Sequence, residues 1–544
     1  MNLAKWEMII MNYFRKGFTE RINQSKKEYC ILMILLFALF TFLLFYRVTE
    51  IPVPLNVDEA GMAYDALSLA NYHVDRYLYH FPVYLVNFGG GQSALYAYLT
   101  AALISLFGYS VLIIRLPAVI LSLISVLFFT LTVRKERGNT ASVISLIFFC
   151  ILPFSIMHSR WGLDAYLLFP MVIISSSVFY HAVKKAKGFW FAVCGVLFGV
   201  TLYSYVISYI LLPLFLGLSI GYLLIRKKIT LKHIIIMGIP LFLLAVPLIL
   251  MLAVNNGIIA EVNTRFISIP KLNGFRANEL GFHNVINNLK PDDYNIFYEI
   301  FANDHCQYNV IPKFGTLYYI SIPILIYGLF LCVKKSISDM RQQFFSLDIL
   351  MVILFVSAFI VALFIERPNV NRSCAIYIPL IYFLVAGFLE IFKNNKILTV
   401  ITAGIYLFCF LFFLQYYFKE LPKDLEHDYL FSSLPDLKKA LAFSEEVYQE
   451  DETVYILGRS NPYIYTILAL QVDPYTFNDK KVLSYDGYVK KYDKYRFQLD
   501  AILPDCIYIF RDLRNIPEEI GNFPDFLTKE FGSVIVFYPD KENS

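Results

Sequence analysis

The sequence predicts a polytopic α-helical membrane protein, and composition is the first observation that supports this fold class. Of its 544 residues, 58% are hydrophobic and only 17% are charged. A soluble globular chain averages about 45–50% apolar and about 25% charged residues, so most of this chain lacks the residues that a water-facing surface needs. The net charge of +4 comes from Lys and Arg in short loops, a distribution that sets membrane topology and gives no reason to expect a nucleic-acid partner.

The second observation is a series of apolar runs of spanning length, which is about 20 residues. We expect about 11 spanning helices, near residues 30–46, 112–133, 140–157, 164–183, 189–204, 207–225, 234–254, 316–333, 347–365, 373–391 and 397–417. The run 93–107 is shorter than a typical span, so we place it among surface-lying helices in the first outer loop.

The third observation is the position of the basic clusters, which occupy every second connection between these runs. Cytoplasmic loops carry the Lys/Arg excess, so the alternation predicts a cytoplasmic N-terminus in a multi-pass protein of the cell membrane. It holds only if the run 93–107 does not cross. The segments predicted to lie outside are 47–111, 158–163, 255–315, 366–372 and the tail from residue 418.

The tail is richer in Asp, Glu, Lys and Tyr than the rest of the chain, and its apolar runs shrink to strand length. Leu434–Val447 has the pattern of an amphipathic helix, and short runs near 454–457, 506–510 and 534–538 have that of strands. We therefore divide the chain into a transmembrane domain, 1–417, and a small extracytoplasmic α/β domain, 418–544.

The first outer loop holds the most informative polar residues. Asp58 and Glu59 follow the first spanning run, and Asp75 and Arg76 come later in a segment rich in Tyr and Phe. Ionisable side chains this close to lipid usually pair, line a wet cavity or do chemistry. Asp58 suits a general base that activates an acceptor hydroxyl. Asn56, Asp58 and Glu59 equally suit the N-terminal end of a helix.

The second outer loop, beginning at His158, places Arg160 and Asp164 at the junction of two spanning runs. An Arg can bind a phosphate bidentately, and Asp164 could hold that Arg, a metal ion or a sugar hydroxyl. The alternative is an interfacial Arg160–Asp164 pair without a catalytic role.

The short loop 366–372 carries basic residues on the outside, against the positive-inside trend. Such residues call for an anionic partner, and a polyprenyl phosphate head group is one candidate. Arg372 is the preferred ligand and Arg367 the second. Ordinary snorkelling of both side chains to the membrane interface is the alternative.

Together these segments resemble the GT-C class of membrane glycosyltransferases. The likeness is to the bacterial, glycosyltransferase family 39-like branch related to protein O-mannosyltransferases and the lipid A aminoarabinose transferase. It covers roughly residues 30–400. The matching segments are Val57-Asp58-Glu59, Ser93–Gly108 followed by Arg115-Leu116-Pro117, His158-Ser159-Arg160 with Asp164, and Phe314-Gly315-Thr316-Leu317-Tyr318.

The resemblance implies transfer of a sugar from a polyprenyl-phosphate donor to a glycan, lipid or protein acceptor on the outer face of a bacterial membrane. Asp58 becomes the expected base, with Glu59 beside it, and Arg160 and Asp164 would organise the donor, with His158 a further candidate. No cofactor is certain. If a divalent metal binds, Asp58 and Asp164 would hold it. Direct displacement of the lipid phosphate would invert the anomeric configuration.

Two other classes compete with this interpretation. A transporter or lipid-linked sugar flippase predicts ionisable groups near the bilayer midplane, broken helices and often an internal repeat, whereas the ionisable groups here gather at the outer surface. A noncatalytic assembly protein that acts through its outer tail predicts that Asp58 can be neutralised without consequence.

Overall fold

The computed structural model describes residues 25–52, 55–88, 90–274, 281–290, 295–302, 309–426, 431–449, 452–458, 460–484, 488–499, 501–511, 516–521 and 526–540. Long helices dominate up to Glu426, and a mixed α/β region follows. The predicted fold class, a multi-pass helical membrane protein with an α/β tail, is confirmed.

The first part of the chain contains most of the helices. They are α1 (Lys26–Phe45), α2 (Val57–Tyr72), α3 (Leu95–Phe107), α4 (Val111–Arg137), α5 (Asn139–Ile151), α6 (Pro153–His158), α7 (Ala165–Lys185), α8 (Gly188–Leu202), α9 (Ser208–Ile225), α10 (Leu231–Asn255), α11 (Phe282–Leu289), α12 (Ile296–Phe301), α13 (Ser321–Arg341), α14 (Leu347–Phe364), α15 (Tyr377–Asn394), α16 (Lys396–Gln415) and α17 (Leu421–Glu426). The tail adds α18 (Leu434–Val447), α19 (Pro462–Ala469), α20 (Pro474–Lys480) and α21 (Glu518–Gly521).

The strands of the first part are short, and those of the tail form one sheet. They are β1 (Leu55–Asn56), β2 (Tyr84–Asn87), β3 (Gly90–Ser93), β4 (Val262–Asn263), β5 (Ser268–Ile269), β6 (Phe431–Ser432), β7 (Thr453–Leu457), β8 (Lys481–Leu483), β9 (Val489–Tyr492), β10 (Tyr495–Arg496), β11 (Cys506–Phe510), β12 (Phe526–Phe531) and β13 (Val534–Pro539).

Among the described residues, nine helices are long and apolar enough to cross a membrane: α1, α4, α7, α9, α10, α13, α14, α15 and α16. The other two expected spans correspond to the shorter apolar helices α5 and α8, of 13 and 15 residues. The run 140–157 is not one helix, because Leu152 is extended and Pro153 begins α6. Proline cannot continue a helix without losing a backbone hydrogen bond, and it favours an extended residue before it.

The helix α3 lies at one end of the bundle and does not cross it. Arg115, near the start of α4, donates from Nη1 to the carbonyl of Val48, just beyond the end of α1, at 2.8 Å. Tyr96 in α3 donates to the carbonyl of Ile114 at 3.0 Å. The chain therefore leaves α1 and enters α4 at the same end, which is what the alternation of the basic clusters required.

The two ends of the helix bundle differ in charge. The basic end consists of the connections α4–α5, α7–α8, α9–α10, α13–α14 and α15–α16, which hold the basic clusters of the sequence. There Arg137 pairs with Asp348, which also accepts a hydrogen bond from Lys335 at 2.8 Å. The opposite end, called the site end below, contains the segments 46–110, 152–164, 203–207 and 365–376.

The tail folds around a seven-stranded mixed sheet with the strand order β12-β13-β11-β7-β10-β9-β8. Its central strand, β7, pairs in parallel with β11 and β10, and the other neighbours are antiparallel. The predicted helix and three predicted strands correspond to α18, β7, β11 and β13. The sequence analysis missed β8, β9, β10 and β12, whose side chains are mostly exposed or half-buried.

The tail packs directly on the first outer loop. Strand β1 pairs with β6. Tyr465 donates to the carbonyl of Leu55 at 3.1 Å, and Tyr64 donates to the carbonyl of Val472 at 2.8 Å. One cluster of buried apolar side chains joins α2 and α3 to α18, α19 and the inner face of the sheet. The division at residue 417 remains our proposal for the domain boundary, but the two parts share a hydrophobic core.

Replacing Phe477 tests this shared core. Its ring is fully buried and contacts Tyr64 of α2 as well as Tyr463 and Tyr492 of the tail. We expect Phe477→Ala to lower the free energy of unfolding in detergent by about 3–5 kcal/mol, because deleting a buried ring loses transfer energy and leaves a cavity. Tyr488→Ala is the control, since that ring is 59% exposed. Equal unfolding midpoints for the two variants would contradict the shared core.

Candidate active site

The first outer loop presents Asp58 in the first turn of α2. Asn56 is the N-cap, and its Oδ1 accepts a hydrogen bond from the backbone N–H of Asp58 at 2.9 Å. A carboxylate in this position is favoured by the exposed N–H groups and the dipole of the helix. Asp58 can therefore stabilise the start of α2 and also take part in chemistry, because it lines a cavity.

That cavity has a volume of about 240 Å³ and lies at the site end of the bundle. It brings together residues from all three polar clusters of the sequence analysis. Its lining consists of Asp58, Tyr84, Asn87, Gly91, Gln92, Leu163, Asp164, Ala165, Tyr205, Val206, Asn369, Asn371 and Arg372. Two carboxylates, one guanidinium and four amides in so small a space form a binding site for a polar ligand.

Asp58 is held by the hairpin β2–β3. Asn87, at the end of β2, donates from Nδ2 to Asp58 Oδ1 at 3.1 Å. Gly61 makes room for this arrangement, since a Cβ at that position would lie 2.7 Å from both Asn87 Oδ1 and Arg76 Nη2. The spacing of Asp58 and Gly61 on α2 thus lets the hairpin approach the carboxylate closely.

Asp164 fixes the same hairpin from the other side. It caps α7, and its Oδ1 accepts from the backbone N–H of Ala165 while its Oδ2 accepts from that of Ser93, both at 2.9 Å. The carboxylate is 8% exposed and lines the cavity. Asp164 therefore orients the wall of the site and also presents negative charge to a ligand.

The third cluster contributes Arg372 but not Arg367. Arg372 lines the cavity, its Nη1 donates to the carbonyl of Glu366 at 2.8 Å, and its backbone N–H donates to Asn369 Oδ1 at 2.9 Å. Arg367 is exposed, has a positive φ of 52° and does not line the cavity. The loop therefore folds back on itself and presents only one of its two guanidinium groups to the site.

Buried amide oxygens are the feature that the sequence analysis missed. Asn87 Oδ1, Gln92 Oε1 and Asn371 Oδ1 are inaccessible to solvent and lack hydrogen-bond partners within the described structure. Asn87 and Gln92 are 8% and 4% exposed. Buried acceptors without partners are costly, so these three oxygens make the wall of the cavity unusually polar.

Glu59 lies behind the cavity rather than in it. Its carboxylate is fully buried and accepts from Arg115 Nε at 2.8 Å, from Arg115 Nη2 at 3.0 Å and from the backbone N–H of Gly162 at 2.9 Å. Successive helix residues point about 100° apart, which turns Asp58 and Glu59 to different sides. This geometry indicates a structural role for Glu59, and the expected catalytic role stays a prediction.

Arg160 also takes a different place from the one expected. It is fully buried, and its guanidinium donates to the carbonyls of Leu44, Tyr46 and Ile51 at 3.0, 2.7 and 2.9 Å. It therefore caps the end of α1, whose last carbonyls have no partner within the helix, and it does not line the cavity. The structure gives no support to donor binding by Arg160.

The remaining candidates pack around the cavity without lining it. His158 is 2% exposed, and its ring stacks on Phe154 and lies 4.3 Å from the ring of Tyr166. Arg76 donates from Nε and Nη2 to Asp65 at 2.9 and 2.7 Å. These contacts indicate structural roles, and His158 and Arg76, which were further candidates for the site, do not line the cavity.

Asp75 is a buried carboxyl in the same region. Its Oδ1 accepts from the backbone N–H groups of Tyr77 and Tyr79, both at 2.9 Å. Burial, and then the charge of Asp65, raise the pKa of Asp75 to about 7. Asp75 does not line the cavity, so its titration bears on the stability of the loop.

A metal ion in the cavity would have oxygen ligands. Among the described residues, no group of three or more His, Cys, Asp or Glu side chains could hold a metal. Asp58 and Asp164 nevertheless line one cavity together with amide oxygens, and carboxylate and amide oxygens are the donors that Mg²⁺, Ca²⁺ and Mn²⁺ prefer. The two predicted metal-binding carboxylates therefore remain the ones to consider.

Comparison with solved structures identifies the fold. ArnT from Cupriavidus metallidurans bound to undecaprenyl phosphate matches with a TM-score of 0.51 at 11% identity, covering 94% of this chain and 98% of ArnT. Its apo form matches with a TM-score of 0.51 at 11% identity, covering 93% and 97%. The Archaeoglobus fulgidus oligosaccharyltransferase has a TM-score of 0.46 at 12% identity, covering 82% and 64%.

The fold is similar to that of GT-C membrane glycosyltransferases. Within that class, residues 92–251 match the family described as dolichyl-phosphate-mannose-protein mannosyltransferase. The resemblance to GT-C membrane glycosyltransferases is confirmed by these two findings together. A search of curated proteins finds no match to the chain.

Breaking the Glu59–Arg115 pair tests its structural role. We expect Arg115→Met to lower the free energy of unfolding by about 3–5 kcal/mol, because it leaves a buried carboxylate without its counter-charge. The double variant Glu59→Gln/Arg115→Met removes both charges and should recover much of that loss. Unfolding in detergent measures both. A double variant as unstable as Arg115→Met would show that the ion pair is not what matters.

The titration of Asp75 predicts a pH dependence of stability. An unfolded Asp titrates near 3.9, whereas the pKa in the folded protein is about 7, so the folded form retains a proton that the unfolded form loses. The stabilising contribution is therefore complete below about pH 4 and is lost as the pH rises through about 7. Asp75→Asn should raise the unfolding temperature at pH 8 and flatten its decline between pH 5 and pH 8. Asp493→Asn, at a half-exposed carboxylate, is the control. An unchanged pH slope in Asp75→Asn would refute the prediction.

Proposed function

We propose that this protein is a glycosyltransferase that moves a sugar from a polyprenyl-phosphate donor to an acceptor at the outer face of the cell membrane. The carrying observation is the convergence of Asp58, Asp164 and Arg372 in one polar cavity. ArnT from Cupriavidus metallidurans, which shares the fold, was crystallised with undecaprenyl phosphate, which supports a polyprenyl-phosphate donor.

The outward orientation follows from charge. The cavity lies at the end of the bundle opposite to the basic connections, and cytoplasmic loops carry the excess of Lys and Arg. We therefore place the basic end and the N-terminus in the cytoplasm, and the cavity and the tail outside. Because the tail covers the first outer loop, it forms part of the surroundings in which a glycan, lipid or protein acceptor would bind.

Asp58 is the proposed general base. Its carboxylate lines the cavity, and the hydrogen bond that Asn87 donates to Oδ1 helps to fix its orientation toward an acceptor hydroxyl. A positioned base of this kind typically contributes 10²–10⁴-fold to a rate.

Arg372 is the proposed ligand of the donor phosphate. It is the only guanidinium among the residues that line the cavity. Its Nη1 donates to the carbonyl of Glu366, and this hydrogen bond holds the guanidinium group in place. Charge that develops on the leaving phosphate is stabilised most effectively by a fixed cation of this kind.

The amide groups of the cavity suit a polyhydroxylated ring. Asn87, Gln92, Asn369 and Asn371 line the cavity, and amide side chains can both donate to and accept from sugar hydroxyls. The cavity has a volume of about 240 Å³, a small size that favours a monosaccharide donor, hexosyl or pentosyl.

The proposed mechanism is a single displacement. The acceptor oxygen forms a bond to the anomeric carbon as its proton passes to Asp58. The bond from that carbon to the phosphate oxygen breaks, and its electron pair stays on the lipid phosphate, beside Arg372. Positioning and charge stabilisation supply most of the acceleration, since the phosphate is already a good leaving group. One displacement inverts the anomeric configuration.

Neutralising Asp58 tests the proposal. In membranes supplied with radiolabelled polyprenyl-phosphate sugars, we expect Asp58→Asn to slow the release of label from the lipid by about 10²–10⁴-fold, because the amide cannot take a proton. Glu261→Gln removes an exposed carboxylate of the same end that is not part of the cavity, and it should leave transfer unchanged. Protein levels of all variants are compared by immunoblot.

A second pair of variants tests Arg372 as the ligand of the donor phosphate. Arg372→Gln should raise the donor KM and lower kcat, whereas Arg367→Gln, in the same loop but outside the cavity, should do neither.

Transfer that survives Asp58→Asn would move the base to another residue. Movement of the donor across sealed vesicles without loss of its sugar would favour the flippase alternative over the transferase.

A further inference from the structure

A groove opens at the basic end of the bundle, far along the helices from the proposed active site. It consists of two neighbouring cavities of about 530 and 470 Å³, whose linings share Lys135 and His181. The groove runs between the C-terminal turns of α4 and α7, whereas Asp164 stands at the N-terminus of α7. It is independent of the function proposed above.

One half of the groove is apolar and faces sideways. Leu127, Phe128 and Leu131 of α4 form its wall. Helix α4 is long and apolar enough to span the membrane, and its Leu127 and Leu131 side chains are 43% and 40% exposed. A surface of this kind at the flank of a spanning helix is in contact with lipid acyl chains.

The other half is cationic. Lys135, Lys184, Lys185 and Lys335 line it, beside the ring of His181. Lys185 Nζ lies 4.3 Å from the centre of the Trp190 ring, and Lys184 Nζ lies 4.0 Å from that of Phe344. Aromatic rings thus support these ammonium groups at the rim of the groove and orient them.

Carboxylates neutralise only part of this charge, at Lys335, which also pairs with Asp348 at 2.8 Å. Glu136 accepts a hydrogen bond from Tyr180 at 2.5 Å and lies 3.4 Å from Lys335 Nζ, and its side chain is only 7% exposed. Among the described residues, no carboxylate is within ion-pair distance of Lys135. The rim therefore carries a net positive charge that an anion would balance.

We propose that this groove binds an anionic phospholipid, with its phosphate between Lys135 and Lys185 and one acyl chain along Leu127 and Leu131. The apolar wall suits the acyl chains of such a lipid, and the cationic rim suits its phosphate head group. Basic pockets between spanning helices on the cytoplasmic side are suited to anionic head groups. A soluble anion would use only the cationic half.

The position of Trp190 provides a probe. The sequence has three tryptophans, Trp6, Trp161 and Trp190. Trp161 is 1% exposed, and Trp6→Phe removes the first. The Trp6→Phe protein is reconstituted in phosphatidylcholine vesicles with increasing amounts of brominated phosphatidylglycerol or brominated phosphatidylcholine. We expect brominated phosphatidylglycerol to quench the tryptophan fluorescence to a given extent at a mole fraction at least fivefold lower than brominated phosphatidylcholine does.

Two lysine variants in the Trp6→Phe background decide the outcome. Lys135→Gln should reduce the preference for phosphatidylglycerol about fivefold, which corresponds to about 1 kcal/mol per basic residue. Lys227→Gln removes the same charge from another loop of the basic end, outside the groove, and should retain the preference. Equal quenching by the two lipids would overturn the proposal, and so would equal losses in the two variants. Gel filtration of each variant before reconstitution verifies folding.

Discussion

The buried ion pair of Glu59 and Arg115 is the contact on which the site end of the bundle depends. Arg115 uses Nε and Nη2 for the carboxylate, Nη1 for the carbonyl of Val48 and Nη2 also for that of Pro52. Glu59 accepts the N–H of Gly162 as well. The pair therefore joins the end of α1, the start of α2, the start of α4 and the second outer loop. Removing two charges from water is costly, and this cost is offset only where the whole set of partners is in place.

Gly162 makes this convergence possible. A Cβ there would lie 2.8 Å from Glu59 Oε1, so a larger residue would separate the second outer loop from α2. Because Asp164 follows by two residues and Asp58 precedes Glu59, the same contact sets the distance between the two carboxylates of the cavity. Glu59, Arg115 and Gly162 thus position the carboxylates of the candidate site although none of the three lines the cavity.

The sequence was sufficient for the parts of the fold that depend on local pattern. Apolar length predicted the spans, and the spacing of basic clusters predicted that α3 stays at one end. The division of the 140–157 run at Pro153 was also visible in principle, since proline ends helices, but apolar composition concealed it. The sequence also indicated that the ionisable groups gather at one surface, and residues of all three polar clusters line one cavity.

The roles within those clusters could not be predicted in the same way, because they depend on partners distant in the chain. Glu59 and Arg115 are 56 positions apart, and Arg160 reaches carbonyls more than a hundred positions away. Neighbouring carboxylates look alike in a sequence, whereas a helix turns them to different environments. Asn87, Gln92 and Asn371 gave no signal, since an amide carries no charge and is common in loops.

The tail is best understood as a support for the first outer loop. Asn478 donates to the carbonyl of Arg76 at 2.8 Å, and the guanidinium of Arg76 binds Asp65 of α2. Gly61, one turn before Asp65, is the position at which Arg76 and Asn87 both approach the helix. Asn87 in turn holds Asp58. A continuous set of packed groups therefore leads from the tail to the proposed base, and the tail would influence catalysis through the position of Asp58 even if it never contacted the acceptor.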